Sequence, residues 1–167
     1  DAVRRLTEQK IDGLVFDLRG NGGGLVTEAE GVAGTFLKDG ALIATSRGRT
    51  GPGDEITATG DPVDLTVPLV VLVDQNSASA SEIVSGALRD ANRAALVGTR
   101  TFGKALIQTT RTLPNGGAIK FTVASYLTPK GFDLGTRGLP PDVQVEDDPK
   151  TPEDEGLARA FREAASR

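Results

Sequence analysis

Ser79 lies in the run Asp74-Gln75-Asn76-Ser77-Ala78-Ser79-Ala80-Ser81-Glu82, between an aliphatic stretch and a helix-forming one, and that placement suits a hydroxyl nucleophile. The alanines on either side leave the hydroxyl open, and the N–H of Ala80 is positioned to donate to an oxyanion developing on an attacked carbonyl. The same residues have a plain structural reading, because Ser79 with Glu82 three residues on is a capping box for a helix start. A serine nucleophile needs a base. The 167 residues hold no His and no Cys, which removes the Ser-His-Asp triad, thiol nucleophiles, disulfides and His- or Cys-ligated metals. Lys104, in Thr101-Phe102-Gly103-Lys104-Ala105-Leu106, is the unusual lysine, flanked by small and apolar residues at the start of an expected strand. A lysine acts as a base in its neutral form, which burial against apolar neighbours favours. The alternative is a surface side chain lying along Phe102 and Leu106. Gln108, four residues on, is expected on the same strand face, within reach of the amine.

The second candidate is Asp17-Leu18-Arg19-Gly20-Asn21-Gly22-Gly23-Gly24. Glycines directly after a strand expose amides that can converge on an anion, a phosphate or the oxyanion of a tetrahedral intermediate. Leu25 and Val26 follow where a phosphate-binding Walker loop needs Gly-Lys-Ser/Thr, and the dinucleotide spacing is met only loosely. A flexible turn between strand and helix is the alternative.

The elements that must hold these groups are legible in outline. The first ten residues read as the end of an amphipathic helix, Ile11–Leu18 as a buried strand, Thr27–Leu37 as a helix and Ala41–Thr45 as a strand. Ser46–Gly60 reads as an exposed loop or hairpin tip, followed by strand-like Val63–Val67 and Leu69–Val73. Ser79–Asp90 has helical spacing, Ala94–Val97 returns to strand, and Thr99–Gly103 is a loop. Leu106–Leu113 and Ile119–Leu127 alternate around Pro114-Asn115-Gly116-Gly117, a hairpin turn sequence. Val143–Val145 reads as a short strand. Thr151 and Pro152 read as the start of a last helix with the stripe Leu157, Ala160, Phe161 and Ala164. Alternating strands and helices followed by a hairpin make the class mixed α/β.

Composition narrows the partners. A net charge of −4 with scattered bases argues against nucleic acid. The longest purely aliphatic run is far too short to span a bilayer. The lack of any Met reads as a processed product or a piece of a longer protein.

Three strings together, Val73 to Ile83, Val97-Gly98-Thr99-Arg100-Thr101-Phe102-Gly103-Lys104 with Gln108, and Asp17 to Leu25, resemble the carboxyl-terminal processing peptidases, also called tail-specific proteases. Tyr126-Leu127-Thr128-Pro129-Lys130-Gly131 and Gly138-Leu139-Pro140-Pro141-Asp142 extend the resemblance over nearly the whole chain. Lys104 follows Ser79 by 25 residues, as the family pattern has it. The resemblance implies a crotonase/Clp-protease-like α/β core, a twisted sheet flanked by helices. It implies a serine endopeptidase with a Ser-Lys dyad, Ser79 as nucleophile, Lys104 as base, and Gln108 assisting. The oxyanion hole would be the amide of Ala80 with that of Gly23 or Gly24. Residues 1–167 would be a catalytic core lacking the family's PDZ-like domain, with no cofactor and no metal. Substrates would be polypeptides with apolar C-terminal regions, the location a bacterial envelope, periplasmic or secreted, and an oligomer is compatible with the pattern. The competing readings are a non-catalytic peptide-binding piece or pseudoenzyme of the same fold, and an acyl-CoA enzyme using the same amides.

Overall fold

A parallel strand covered on both faces must be apolar at every position, and Leu69–Val73 is buried along its whole length. The computed structural model describes residues 1–49, 51–63, 66–104 and 106–167. In chain order the elements are α1 (Ala2–Thr7), β1 (Leu14–Asp17), α2 (Val26–Gly34), β2 (Leu42–Gly48), β3 (Gly51–Thr57), β4 (Leu69–Val73), α3 (Ala80–Asp90), β5 (Ala94–Gly98), β6 (Leu106–Thr112), β7 (Ala118–Leu127), α4 (Leu134–Arg137), β8 (Val143–Gln144) and α5 (Glu155–Ala165). The class is mixed α/β.

The first sheet has the order β1-β4-β5-β8 and is parallel, with Leu14 opposite Leu69 and Leu69 opposite Ala94. Alternate residues of β4 serve two cores. Leu69, Val71 and Val73 pack with Ala29, Ala33, Ile83 and Leu88 of α2 and α3. Val70 and Leu72 pack on Ala160 and Ala164 of α5. The carboxyl ends of β1 and β4 therefore deliver the glycine loop and the serine loop side by side, where α/β folds build their sites.

The expected single sheet is accompanied by a second, antiparallel one of order β3-β2-β7-β6. Helix α3 is buried on nearly every side because it packs against β5 and also against β2. The stretch from Ser46 to Gly60 is the hairpin, not the loop. β2 continues to Gly48 and pairs with β3 despite two register irregularities, and the Ser46 hydroxyl accepts the Asp54 N–H at 2.8 Å. Of the strand expected at Val63–Val67, Asp64 and Leu65 lie outside the described residues, and Val63, Thr66 and Val67 are not in a strand.

The second hairpin forms as its turn sequence requires. Gly116 takes φ 81°, which glycine adopts without a side-chain clash, and the Leu113 N–H donates to the Gly117 carbonyl at 2.7 Å. The last helix starts three residues later than expected. Asp154 caps it by accepting the Leu157 N–H at 2.7 Å, while Thr151 is drawn to Asp148 and Glu155. Phe161, expected in the buried stripe, is 58% exposed. Among the described residues no helix is long and apolar enough to cross a membrane.

Candidate active site

Ser79 is the residue before α3, and its backbone sits at φ 58°, ψ −119°. A non-glycine residue held there stores about 1–3 kcal/mol of strain, a cost that persists only where the surroundings enforce it. The enforcing group is Glu82. Its side chain is fully buried, and its Oε2 accepts the Ser79 N–H and the Lys104 N–H, each at 2.9 Å. Its Oε1 accepts the Gly103 N–H at 2.7 Å and the Thr101 hydroxyl at 2.5 Å. One carboxylate thus joins the serine turn to the loop that carries the lysine. The capping box read in the sequence is part of this arrangement. Because the Glu82 N–H also donates to the Ser79 carbonyl at 2.9 Å, the cap does not depend on the hydroxyl alone.

The glycine loop is pinned to the serine loop by four bonds. The Ala78 N–H and the Ser81 hydroxyl donate to the carbonyl and Oδ1 of Asn21, each at 3.0 Å. The Gly20 N–H donates to Asp74 Oδ1 at 2.9 Å, and the buried Ser77 hydroxyl donates to the Leu18 carbonyl at 2.8 Å. Asn21 Oδ1 also accepts the Gly23 N–H at 2.9 Å. The Gly24 and Ala80 amides make no hydrogen bond among the described residues. Gly23 has φ 87°, and a Cβ there would lie 2.5 Å from the Ala78 carbonyl and 2.9 Å from Ser79 Cβ.

Arg19, at the entrance to this loop, donates to Asp17 and to both carboxylate oxygens of Asp154 at 2.8–3.2 Å, which ties the loop to the N-cap of α5. The bonds to Asp17 and then Asp154 hold the guanidinium above its already high ordinary value, and the same contact holds the Asp154 carboxyl below the usual range. For Asp74, partial burial pushes the carboxyl up, but bonds from the Gly20 and Asn76 amides outweigh it and leave it below the ordinary 3.8. A depressed folded-state pKa contributes stability that is complete above the unfolded value and is lost as the pH falls through the folded one. Asp74→Asn is therefore expected to melt below the parent at pH 7, with the gap closing as the pH falls below 3.8. Thermal unfolding at pH 7, 5 and 3 checks this, and a gap constant with pH would mean that the carboxylate charge plays no part.

The structure brings Ser79, Ala80, Gly23 and Gly24 together. Lys104 arrives by its backbone, but its side chain is exposed rather than buried, because Phe102 and Leu106, the neighbours expected to cover it, are 63% and 45% exposed themselves. Its amine makes no hydrogen bond or ion pair among the described residues. Gln108 is exposed and pairs with Thr122. The strand begins only at Leu106, and a register irregularity falls between Ile107 and Gln108, so alternation does not carry a common face back to Lys104. Asn21, Asp74 and Thr101 were not singled out in the sequence, although each is a polar residue placed at or just after a strand end.

Beside Gly24 and Ala80 opens a cavity of about 320 Å³, walled by Phe16, Leu18, Ala29, Val32 and Val84, with Glu28 at its lining. Its position next to two unengaged amides suits an apolar side chain belonging to a group whose carbonyl sits between them.

Known proteins resemble the chain over most of its length. The profile described as Peptidase family S41 matches residues 1–145. A chloroplastic C-terminal processing peptidase of Tetradesmus obliquus is 43% identical over 162 residues, which is 96% of this chain and 34% of that protein. A carboxyl-terminal-processing protease of Synechocystis sp. is 45% identical over 145 residues, 87% of this chain and 34% of that protein. The structure of a photosystem II D1 C-terminal processing protease superposes with a TM-score of 0.84 at 41% identity, covering 98% of this chain and 42% of that one. Mature CPAF, at 13% identity and a TM-score of 0.71, shares the fold. The chain spans about a third of the length of the curated relatives it matches.

Proposed function

The chain belongs to peptidase family S41, and from that premise we propose that it is the core of a serine endopeptidase that cleaves polypeptides near their C-termini through an acyl-enzyme. The observation that carries this reading is Glu82 Oε2, which accepts the amides of Ser79 and Lys104 together. With both backbones against one oxygen, the lysine stem is long enough to bring its amine to the serine hydroxyl. The amine is unengaged in the free chain, and catalytic hydrogen bonds commonly tighten only when substrate arrives.

In the proposed reaction neutral Lys104 takes the proton of Ser79 as its Oγ attacks the scissile carbonyl. The Ala80 and Gly24 amides then hold the oxyanion. Gly24 is preferred to Gly23 because Asn21 already engages the Gly23 N–H. Protonated Lys104 returns its proton to the leaving amine, and water releases the acyl group. Gln108 assists only if the exposed strand start moves toward the amine. The apolar cavity receives the side chain on the acyl side of the cut, which supports substrates whose C-terminal regions are apolar up to the cut. The compartment we propose is a bacterial envelope, by resemblance, although several relatives, among them that of Tetradesmus obliquus, are chloroplastic.

An organophosphonate serine reagent tests the reading without a known substrate. Mass spectrometry is expected to find one adduct, on the peptide containing Ser79, and none after Ser79→Ala. An adduct elsewhere, or none on the parent, overturns the assignment. Gly23→Ala is expected to lower peptide-cleavage kcat by about 10²–10³-fold, because the added Cβ must push the glycine loop off Ser79 and remove one oxyanion donor. A kcat within threefold of the parent would place the second donor outside this loop.

A further inference from the structure

The proposed chemistry leaves unused the arm that follows Lys104. In a chain of net charge −4, residues 91–132 contain six Lys and Arg and no Asp or Glu. Among the described residues β7 pairs with β2 only from Ala124 to Leu127, so Gln108–Thr112 and Ala118–Thr122 pair with each other alone and project as a two-stranded arm. Every β7 residue of the arm is exposed. Ile119 and Phe121 lie on one face, each more than 40% exposed, with Arg111 opposite Ile119. Lys120 lies on the other face. Neither Arg111 nor Lys120 makes an ion pair among the described residues. Among the described residues the outer edge of β6 has no neighbouring strand in its sheet. A free edge of this kind presents unpaired amides and carbonyls to any extended chain.

Two directions then define a path. The acyl side of a bound polypeptide points to the apolar cavity beside Gly24 and Ala80. The leaving side starts at Lys104, which must hand its proton to the leaving amine, and β6 begins two residues beyond. We infer that the edge of β6 takes the leaving-group side of the polypeptide as an added strand, and that Arg111 and Lys120 select segments bearing Asp or Glu there. This rests on the acyl-transfer reading above and specifies its substrate class: polypeptides apolar before the cut and acidic after it.

The Ser79→Ala chain and three fluorescein-labelled peptides provide the test. The peptides share one apolar acyl-side segment and differ in a following segment bearing Glu, Gln or Lys. Fluorescence anisotropy at low ionic strength is expected to show the Glu peptide binding at least about tenfold more tightly than the Gln peptide, and the Lys peptide most weakly. The spread should shrink at high salt, where charges are screened within a few ångströms. Arg111→Glu with Lys120→Glu should reverse the order, and moving the acids to the acyl side should abolish the preference. Equal binding of the three peptides, no binding, or an order unchanged by the double substitution overturns the inference. So does retention of the arm on phosphatidylglycerol vesicles without peptide ordering, which would make it a lipid surface. Phosphonate labelling of the parent at Ser79 is independent of the arm: labelling without peptide ordering sinks this inference alone, and absent labelling sinks the acyl-transfer reading.

Discussion

Lys104→Ala is expected to lower the rate of peptide cleavage by up to about 10⁴-fold, the upper range for removing a positioned general base, while the melting temperature stays at the parent value. The two halves of that expectation have separate causes. Lys104 is tied to the fold through its backbone N–H, which alanine retains in its bond to Glu82. Its side chain is exposed and makes no hydrogen bond or ion pair among the described residues, so its removal falls among surface changes worth within about 0.5 kcal/mol. Lys104→Arg should fail equally, because a guanidinium does not give up its proton at neutral pH and cannot act as the base. Single-turnover cleavage of a labelled peptide, run beside thermal unfolding, separates the terms. A Lys104→Ala chain that cleaves within tenfold of the parent removes Lys104 from the chemistry, and one that also melts early would show a structural role instead.

The parts of the site that the sequence reveals are those set by local chemistry. Ser79 stands at a strand-to-helix junction whose small neighbours and helix-start pattern are all within a few residues, and the glycine loop announces itself by composition. The parts it conceals are set by contacts between segments far apart in the chain. Glu82 reads as half of a capping box because its partner Ser79 is three residues away. Its bonds to Thr101, Gly103 and Lys104 span 19 to 22 residues and follow no period. Asn21 looks like one more turn-former among glycines until Ala78 and Ser81, more than fifty residues on, are seen to converge on it. The sequence leaves the burial of Lys104 open for a related reason. Apolar neighbours in sequence bury a side chain only if they are buried themselves, and here Phe102 and Leu106 face outward. Of the fold, the parallel sheet follows from its aliphatic runs, whereas β3 is masked by Gly51, Pro52 and Gly53, residues that argue against a strand and are tolerated at a sheet edge.

Glu82→Gln is expected to lower stability by several kcal/mol, because two of the four buried donors lose their acceptor at about 1–3 kcal/mol each, and cleavage with it. The reason lies in the count of donors. The two carboxylate oxygens receive four hydrogen bonds, three from backbone amides and one from a hydroxyl. Glutamine supplies one acceptor oxygen and one NH₂ group, and the NH₂ must face two donors whichever way the amide is turned. If it turns toward Ser79 and Lys104, the tie between nucleophile turn and base loop is lost. If it turns toward Thr101 and Gly103, the buried loop is lost, since the Thr101 hydroxyl also accepts the Leu139 N–H at 2.7 Å and anchors the segment after α4. Thr101→Val distinguishes the two consequences. It removes one donor from Glu82 Oε1 but leaves both bonds at Oε2, so it should lower the melting temperature while retaining most of the kcat. If Glu82→Gln folds as well as the parent and cleaves at the same rate, the shared carboxylate is not what brings Ser79 and Lys104 together. If Thr101→Val loses kcat as fully as Glu82→Gln, the network acts as a single unit and Oε2 has no separate role in aligning the pair.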